Sequence, residues 1–146
     1  GLGDIRFHDY RPVFDNSALP NVRVFSEQVA VFKDLLAHAT PDENQRRDTD
    51  FLMALTELFA LAVYGQLVLE NAKLYAIDDS IIDQIFDFMV RDFSKFALQL
   101  HGKPSSTDKQ MTYCMRMLCK PVVGLDRYQR VWKTVYSLKD AYEMKE

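Results

Sequence analysis

The sequence predicts an all-α fold: an antiparallel bundle of about five helices that follows an irregular N-terminal lead-in. Three observations support this fold. Apolar residues recur at spacings of three and four along most of the chain. No segment shows a sustained strand-like alternation, and no repeat with a fixed period is present. Most of the five glycines and five prolines lie before residue 50 or between residues 102 and 121, where they separate long helical segments.

Length and composition fit one globular domain. The chain has 146 residues, of which 48% are hydrophobic and 27% charged. We assign residues 1–20 to an irregular lead-in or linker and residues 21–146 to a single helical bundle. The lead-in has two prolines and no helical period, and we expect it to pack some aromatic side chains onto the bundle. A linker from an upstream domain is equally consistent, since the start Gly-Leu-Gly-Asp resembles a cut within a longer protein.

The first helix is predicted from Asn21 or Ser26 to Ala39. Ser26 is a candidate N-cap residue. The apolar residues of this helix recur at four and three, and they are Phe25, Val29, Phe32 and Leu36. The segment Thr40–Glu43 has the form of a capping box with proline at the first helical position. We expect the polar segment 42–49 to be exposed, either as a loop or as the first turns of the second helix.

The second helix, Asp50–Tyr75, is predicted to be the central helix of the bundle and to end near Ala76. Leucine and alanine dominate it, so its helix propensity is high. Apolar residues cover well over half of its circumference, whereas a surface helix needs an apolar face of only about 100°. Its one consistent polar strip consists of Thr56, Glu57, Ala60, Tyr64 and Asn71. Charged and amide residues interrupt the apolar run too often for the ~20 residues that a bilayer requires, so no membrane span is predicted.

The third helix is predicted from Ser80 to about Leu100, with Asp83 as the capping partner of Ser80. Its polar strip, which we expect to be exposed, consists of Asp83, Asp87, Arg91 and Lys95. Asp87 and Arg91 are in the favourable i,i+4 order for an ion pair. Gly102 and a following proline end the helix.

The fourth helix opens at Ser106 or Thr107, where Thr107 and Gln110 form a capping box. Its apolar positions are Met111, Cys114, Met115 and Leu118. The fifth helix begins near Leu125 or Asp126. One of its faces is formed by Tyr128, Val131, Trp132, Val135, Leu138 and Tyr142.

Charge and cysteine content limit the function classes. A formal net charge of −3 argues against a general nucleic-acid binder. Cys114 and Cys119, if both lie on one helix, point in different directions and are predicted to be free thiols. Free thiols favour an intracellular protein, and we expect it to be cytoplasmic.

No catalytic, cofactor-binding or metal-ligating residue can be assigned from the residues themselves. Metal-binding helical bundles place histidine three residues after glutamate, and neither Glu57 nor Glu70 has that partner. The histidines at positions 8, 38 and 101 are interpreted as surface or capping residues. Cys114 lies on an apolar face and is interpreted as a small hydrophobic residue.

Two features carry two interpretations each. Gln66 and Glu70 could place a carboxylate of raised pKa in the core. The favoured interpretation is that this helix end emerges into solvent or that Lys73 pairs with Glu70. Aromatic residues on the third and fifth helices could line a ligand cavity or an interface, or they could be ordinary core, which helical spacing favours; they are Phe86, Phe88, Phe93, Phe96, Tyr128, Trp132, Tyr136 and Tyr142.

The second half of the chain resembles the extreme C-terminal region of a group of bacterial acyl-CoA dehydrogenases. The segments that carry the resemblance are Asp83–Asp87, Val90–Thr107, Met117–Val123, Tyr128–Trp132 and Asp140–Met144. The predicted central helix resembles the preceding helix of that appended domain, so the resemblance covers roughly residues 25–146. It identifies a module and no catalytic motif.

The resemblance implies a parent enzyme that uses FAD to introduce an α,β double bond into acyl-CoA thioesters in fatty-acid oxidation. In that family a glutamate removes the α proton and hydride passes to the flavin. No residue here matches that glutamate, and the β domain of the family is absent from this chain. We therefore expect a structural and oligomerisation module that binds no cofactor and is inactive alone. Its expected partners are the rest of the parent and its other subunits, and the resemblance also allows a homo-oligomer. The alternative is a free-standing helical module that binds a ligand or a protein.

Overall fold

The computed structural model describes residue 14 and residues 17–142, and within them the chain is all-α. In chain order the helices are α1 (Pro20–His38), α2 (Glu43–Arg47), α3 (Thr49–Tyr75), α4 (Asp79–His101), α5 (Asp108–Arg116) and α6 (Leu125–Ser137), and a 3₁₀ turn (Lys139–Tyr142) follows. No strand occurs in this part of the chain. The predicted fold class is confirmed. The predicted lead-in lies largely outside the described residues, although Phe14 within it is buried against Phe25.

The centre of the bundle is α4, and the prediction that α3 is central is wrong. Helix α4 packs against α1, α3, α5 and α6, whereas α3 packs mainly against α4 and the short α2. Only one side of α3 is buried. The sequence pattern correctly showed that α3 has more apolar surface than one neighbour can cover. It could not show that this chain leaves the excess uncovered.

Helix α1 begins at Pro20, one residue before the predicted start at Asn21 and six residues before the alternative cap at Ser26. Pro20 occupies its first turn, where proline is favourable. Asn21 follows and is fully buried, because its side chain bonds to Asp83 and to the backbone of Val122. The start of the helix is therefore fixed by a partner 62 residues away rather than by a local cap.

The segment 42–49 contains the separate short helix α2. Its capping box is formed by Asp42 and Gln45, not by Thr40 and Glu43. The Thr40 hydroxyl instead donates to the carbonyl of Leu36 at 2.9 Å. The segment is largely exposed as predicted, but Gln45 is buried.

The predicted start of α4 is also corrected. Asp78 is the N-cap and accepts from the backbone N–H of Ser80 at 2.8 Å. Asp83 is not the capping partner of Ser80, because it is buried and bonded to α1 and α6. By contrast, the capping box of Thr107 and Gln110 at the start of α5 is confirmed.

The apolar face of α5 differs from the prediction at two residues, Met115 and Leu118, and Leu118 lies beyond the end of the helix. Cys114 is buried as expected, whereas Met115 is 55% exposed. Helix α5 ends at Arg116, and Met117 occupies the core position instead.

Phenylalanine rings form the core between α1 and α4. The Phe25 ring lies 5.3 Å from that of Phe86 and 5.5 Å from that of Phe93, and Phe32 also contacts Phe93. Their edge-to-face geometry is the favourable one for aromatic pairs. Gly65 of α3 lies against this cluster, and a β carbon at Gly65 would lie 2.5 Å from Cε1 of Phe25.

We expect Gly65→Ala to lower the free energy of unfolding by about 1–3 kcal/mol, because the added methyl overpacks the site. This sign opposes helix propensity, which favours alanine over glycine by about 1 kcal/mol. Urea denaturation followed by far-UV circular dichroism measures the change. In a Phe25→Leu background the same substitution should cost less, because the contacting ring atom is gone. A stabilised Gly65→Ala variant would contradict the close approach.

Candidate functional site

The polar pair Gln66 and Glu70 lies at the surface of α3. The Gln66 side-chain amide donates to a Glu70 carboxylate oxygen at 2.8 Å, and Glu70 is exposed. This geometry supports the surface interpretation, with Gln66 rather than Lys73 as the partner of Glu70. Glu57 is also exposed, as are the other members of the predicted polar strip of this helix. The structure therefore does not bring these carboxylates together into a site.

The histidines are separated. His38 is exposed at the end of α1, His101 is half-buried at the end of α4, and His8 lies outside the described residues. Among residue 14 and residues 17–142, no three histidine, cysteine or acidic side chains are grouped as metal ligands.

Both cysteines are free thiols, and both have raised pKa values. Burial raises the pKa of the Cys114 thiol to about 12. Burial, and secondarily the Glu27 carboxylate, raises the pKa of Cys119. Because the thiolate is the nucleophile, these environments oppose nucleophilic chemistry at neutral pH.

We expect N-ethylmaleimide at pH 8 to modify Cys119 and to leave Cys114 unmodified in the folded chain. A pKa of about 12 instead of 9.0 lowers the Cys114 thiolate fraction about a thousandfold at this pH. Intact mass and peptide mapping give the site and rate of labelling, and the chain unfolded in guanidinium is the control in which both thiols react. Equal rates at the two cysteines in the folded chain would contradict this expectation.

The aromatic residues divide between core and surface. Phe86 and Phe93 are buried, and Phe96 is partly buried against the core. Phe88, Tyr128, Trp132 and Tyr136 are more than half exposed, so the core interpretation is wrong for them. The side chain of Tyr142 lies outside the described part.

A buried cluster of charges joins α4 to the start of α6. Arg127 bonds to Asp83 and, at 3.0 Å, to Asp87, and the three side chains are only 11%, 7% and 4% exposed. Arg91 adds a bond to Asp87 at 2.8 Å, which confirms the predicted i,i+4 pair. The predicted exposure of Asp83 and Asp87 is wrong, because α6 covers them.

Asn21 completes this charge cluster. Its backbone N–H donates to Asp83 at 2.9 Å, and its side chain both donates to and accepts from Val122. The carboxylates are thus balanced by two guanidinium groups, and the cluster fixes α1, α4 and α6 together. One sequence signal pointed to Arg127: a cation in the first turn of a helix is unfavourable unless it has another partner.

Helix α6 leaves its apolar face in solvent. Tyr128, Trp132 and Tyr136 are 61%, 60% and 56% exposed, and no residue of α6 is classed as fully buried. Arg127 and the half-buried Val131 face the bundle, so the apolar face is rotated away from it. We call this surface the α6 face; its further exposed members are Leu125 and Val135.

The outer side of α3 is a second uncovered apolar surface. Its exposed large apolar residues are Met53, Tyr64, Leu67, Leu74 and Tyr75. Among the described residues, α3 is the one helix long and apolar enough to span a bilayer by length and composition, and 28% of its most apolar window is buried. The absence of a membrane span therefore stays a prediction.

A cleft of about 430 Å³ lies where the chain before α1 meets the α3–α4 hairpin. Its lining consists of Ser17, Ala18, Leu19, Leu69, Ala72, Lys73, Ala76, Ile77, Asp79 and Ile82. In Rossmann-type folds a dinucleotide cofactor places its diphosphate against a glycine-rich turn at a helix N-terminus. This lining has no glycine and no aromatic side chain, so it lacks the features of such a dinucleotide site.

The α6 face and the outer side of α3 are therefore the candidate interaction surfaces of this structure. Comparison of the chain with protein-family models, with curated proteins and with solved structures gives no match.

Proposed function

We propose that this chain is the C-terminal helical module of a flavin-dependent acyl-CoA dehydrogenase. Its role is structural: it covers part of the catalytic core and contributes to subunit association, and it does not catalyse alone. The parent enzyme would carry the FAD, the α-proton-abstracting carboxylate and the acyl-CoA site. The parent would be a cytoplasmic oxidoreductase of fatty-acid oxidation.

The observation that carries this proposal is the uncovered outer side of α3. A monomeric soluble protein rarely exposes a contiguous apolar patch of more than a few hundred Å². Here Met53, Tyr64, Leu67 and Leu74 are exposed along a 27-residue helix whose other side is buried, and the polar residues Thr56, Glu57 and Asn71 share that exposed side. Such a helix suits a boundary between two domains of one protein. The resemblance of residues 25–146 to the dehydrogenase module supports the catalytic core of that enzyme as the domain on the other side of the boundary.

The size of the native gene product tests this proposal most directly. An antiserum against the chain is used on an extract of the source organism. We expect a band well above the 17.0 kDa of this chain, in fractions that carry flavin absorbance and acyl-CoA-dependent dye reduction. A native product of 17.0 kDa without flavin would overturn the proposal and favour a free-standing binding module.

A second experiment uses the purified chain. Addition of FAD should leave flavin fluorescence unquenched, and a panel of acyl-CoAs should give no dye reduction. Stoichiometric flavin binding with turnover would contradict the structural role. Glu57 and Glu70 would then be the first residues to replace.

The free-standing alternative is favoured by one observation, the α6 face, since an amphipathic helix with exposed aromatic residues suits protein binding. The native mass separates the two candidates, because only the module requires a longer polypeptide.

A further inference from the structure

We propose that the α6 face is a self-association surface, on which α6 of one copy pairs antiparallel with α6 of a second copy about a two-fold axis near Trp132. This inference deepens the proposed role in subunit association. Only the role of the pair in the parent enzyme rests on the proposed function. The pairing itself is argued from the α6 face.

The area of the α6 face is close to what a stable dimer needs. Three aromatic side chains that are about 60% exposed offer on the order of 120 Å² each. With the exposed aliphatic side chains, the face presents roughly 600 Å² of apolar surface. This is at the upper end of the largest patch on an ordinary monomer, about 300–600 Å². It approaches the ~800 Å² that each partner contributes to a standard interface.

The residues beside the face allow a second copy. At 100° per residue, Arg130 and Asp126 lie away from the aromatic strip, whereas Gln129 and Lys133 flank it. The one cation at the end of the face, Lys139, is held over the Tyr136 ring at 4.3 Å and bonds to its hydroxyl at 3.0 Å. In an antiparallel pair the two Lys139 side chains lie at opposite ends, so these two cations do not meet.

Two-fold symmetry also gives the α6 face a self-complementary order. With the axis at Trp132, Tyr128 of one copy lies opposite Tyr136 of the other. Trp132 and Tyr136 are already neighbours within one copy, with ring centroids 6.4 Å apart. Pairing therefore forms one continuous group of six aromatic rings, the residue type that dominates interface energies. Two-fold dimers are also the commonest soluble oligomers.

Sedimentation velocity over a range of concentrations is the first measurement. We expect a reversible shift towards twice the 17.0 kDa mass of one chain. Trp132 is the single tryptophan, so its emission reports on this face alone. It should shift to shorter wavelength over the same concentration range. A chain that stays monomeric to millimolar concentration would overturn the proposal.

Paired substitutions test the register. Tyr128→Lys and Tyr136→Glu should each weaken the dimer by about thirtyfold or more. Together they should restore most of the association, because lysine of one copy then faces glutamate of the other. The matched control is Tyr64→Lys on the exposed side of α3, which should leave the dimer unchanged. None of these side chains is buried, so circular dichroism should show folded variants.

Three results would overturn the proposal that the α6 face is the self-association surface. A dimer that is unaffected by Tyr128→Lys uses another face. A double variant as weak as either single variant contradicts the antiparallel register. A shift of Trp132 emission on anionic vesicles, without self-association, assigns the face to lipid. A monomeric chain leaves the dehydrogenase-module proposal standing, whereas a flavin-free native product of 17.0 kDa overturns that proposal and leaves the pair standing.

Discussion

Replacement of Arg127 by alanine is expected to lower the free energy of unfolding by about 3–5 kcal/mol. The substitution leaves the buried carboxylates of Asp83 and Asp87 without the guanidinium that bonds to both. Removal of one partner from a buried ion pair is costly, because the remaining charges stay desolvated. Urea denaturation followed by far-UV circular dichroism gives the change. Loss of Arg127 should also release α6, because no other residue of this helix is held in a buried ion pair.

The matched control for this prediction is Arg91→Ala. Arg91 bonds to the same carboxylate, Asp87, but its side chain is 59% exposed. Because the Arg91 guanidinium is solvated and Arg127 still pairs with Asp87, this variant should lose no more than about 1 kcal/mol of unfolding free energy. Arg127→Lys should be intermediate, since an ammonium keeps the charge but lacks the planar fork that reaches two carboxylates. Equal losses for Arg127→Ala and Arg91→Ala would show that Arg127 is not the principal counter-ion.

Phe25→Ala should be about as destabilising, by about 3–5 kcal/mol. The Phe25 ring is fully buried, and it contacts Phe14, Phe86 and Phe93 as well as the backbone of α3 at Gly65. Its removal leaves a cavity where α1, α3 and α4 meet. The three helices cannot all move inwards to fill this cavity. The midpoint of urea denaturation should fall accordingly.

Phe88→Ala is the control for Phe25→Ala. Phe88 is 60% exposed on α4, and surface substitutions usually change stability by less than about 0.5 kcal/mol. Both variants lose the same side chain, so their difference measures burial. Similar losses in the two variants would contradict the position of Phe25 at the centre of the core.

Local patterns in the sequence predicted the helices well. High propensity, apolar periodicity and capping residues identified each long helix, and the Thr107–Gln110 box gave the start of α5. The errors in predicted exposure arose at residues whose partners lie far away in the sequence. Asp83 and Asp87 form a polar strip on α4, and only the fold shows that Arg127, about 40 residues later, covers them.

Apolar excess was the second limit on prediction from sequence. Helical periodicity showed that α3 and α6 carry wide apolar faces, but periodicity cannot tell which molecule covers them. Helical spacing favoured core packing over an interface for Trp132 and Tyr128, but both side chains are exposed. The apolar residues of the candidate surfaces could therefore be listed from the sequence, but their exposure could not be predicted from it.

The capping glutamines of α2 and α5 also contact each other. Gln45 and Gln110 exchange amide hydrogen bonds at 2.8 and 2.9 Å. Gln45 also bonds to Ser105 and Asp42, and Gln110 also bonds to Ala39 and Thr107. Each amide group thus uses both hydrogens and both acceptor positions. The first turns of the two short helices should therefore open as one cooperative unit in hydrogen exchange, even though 65 residues of chain separate them.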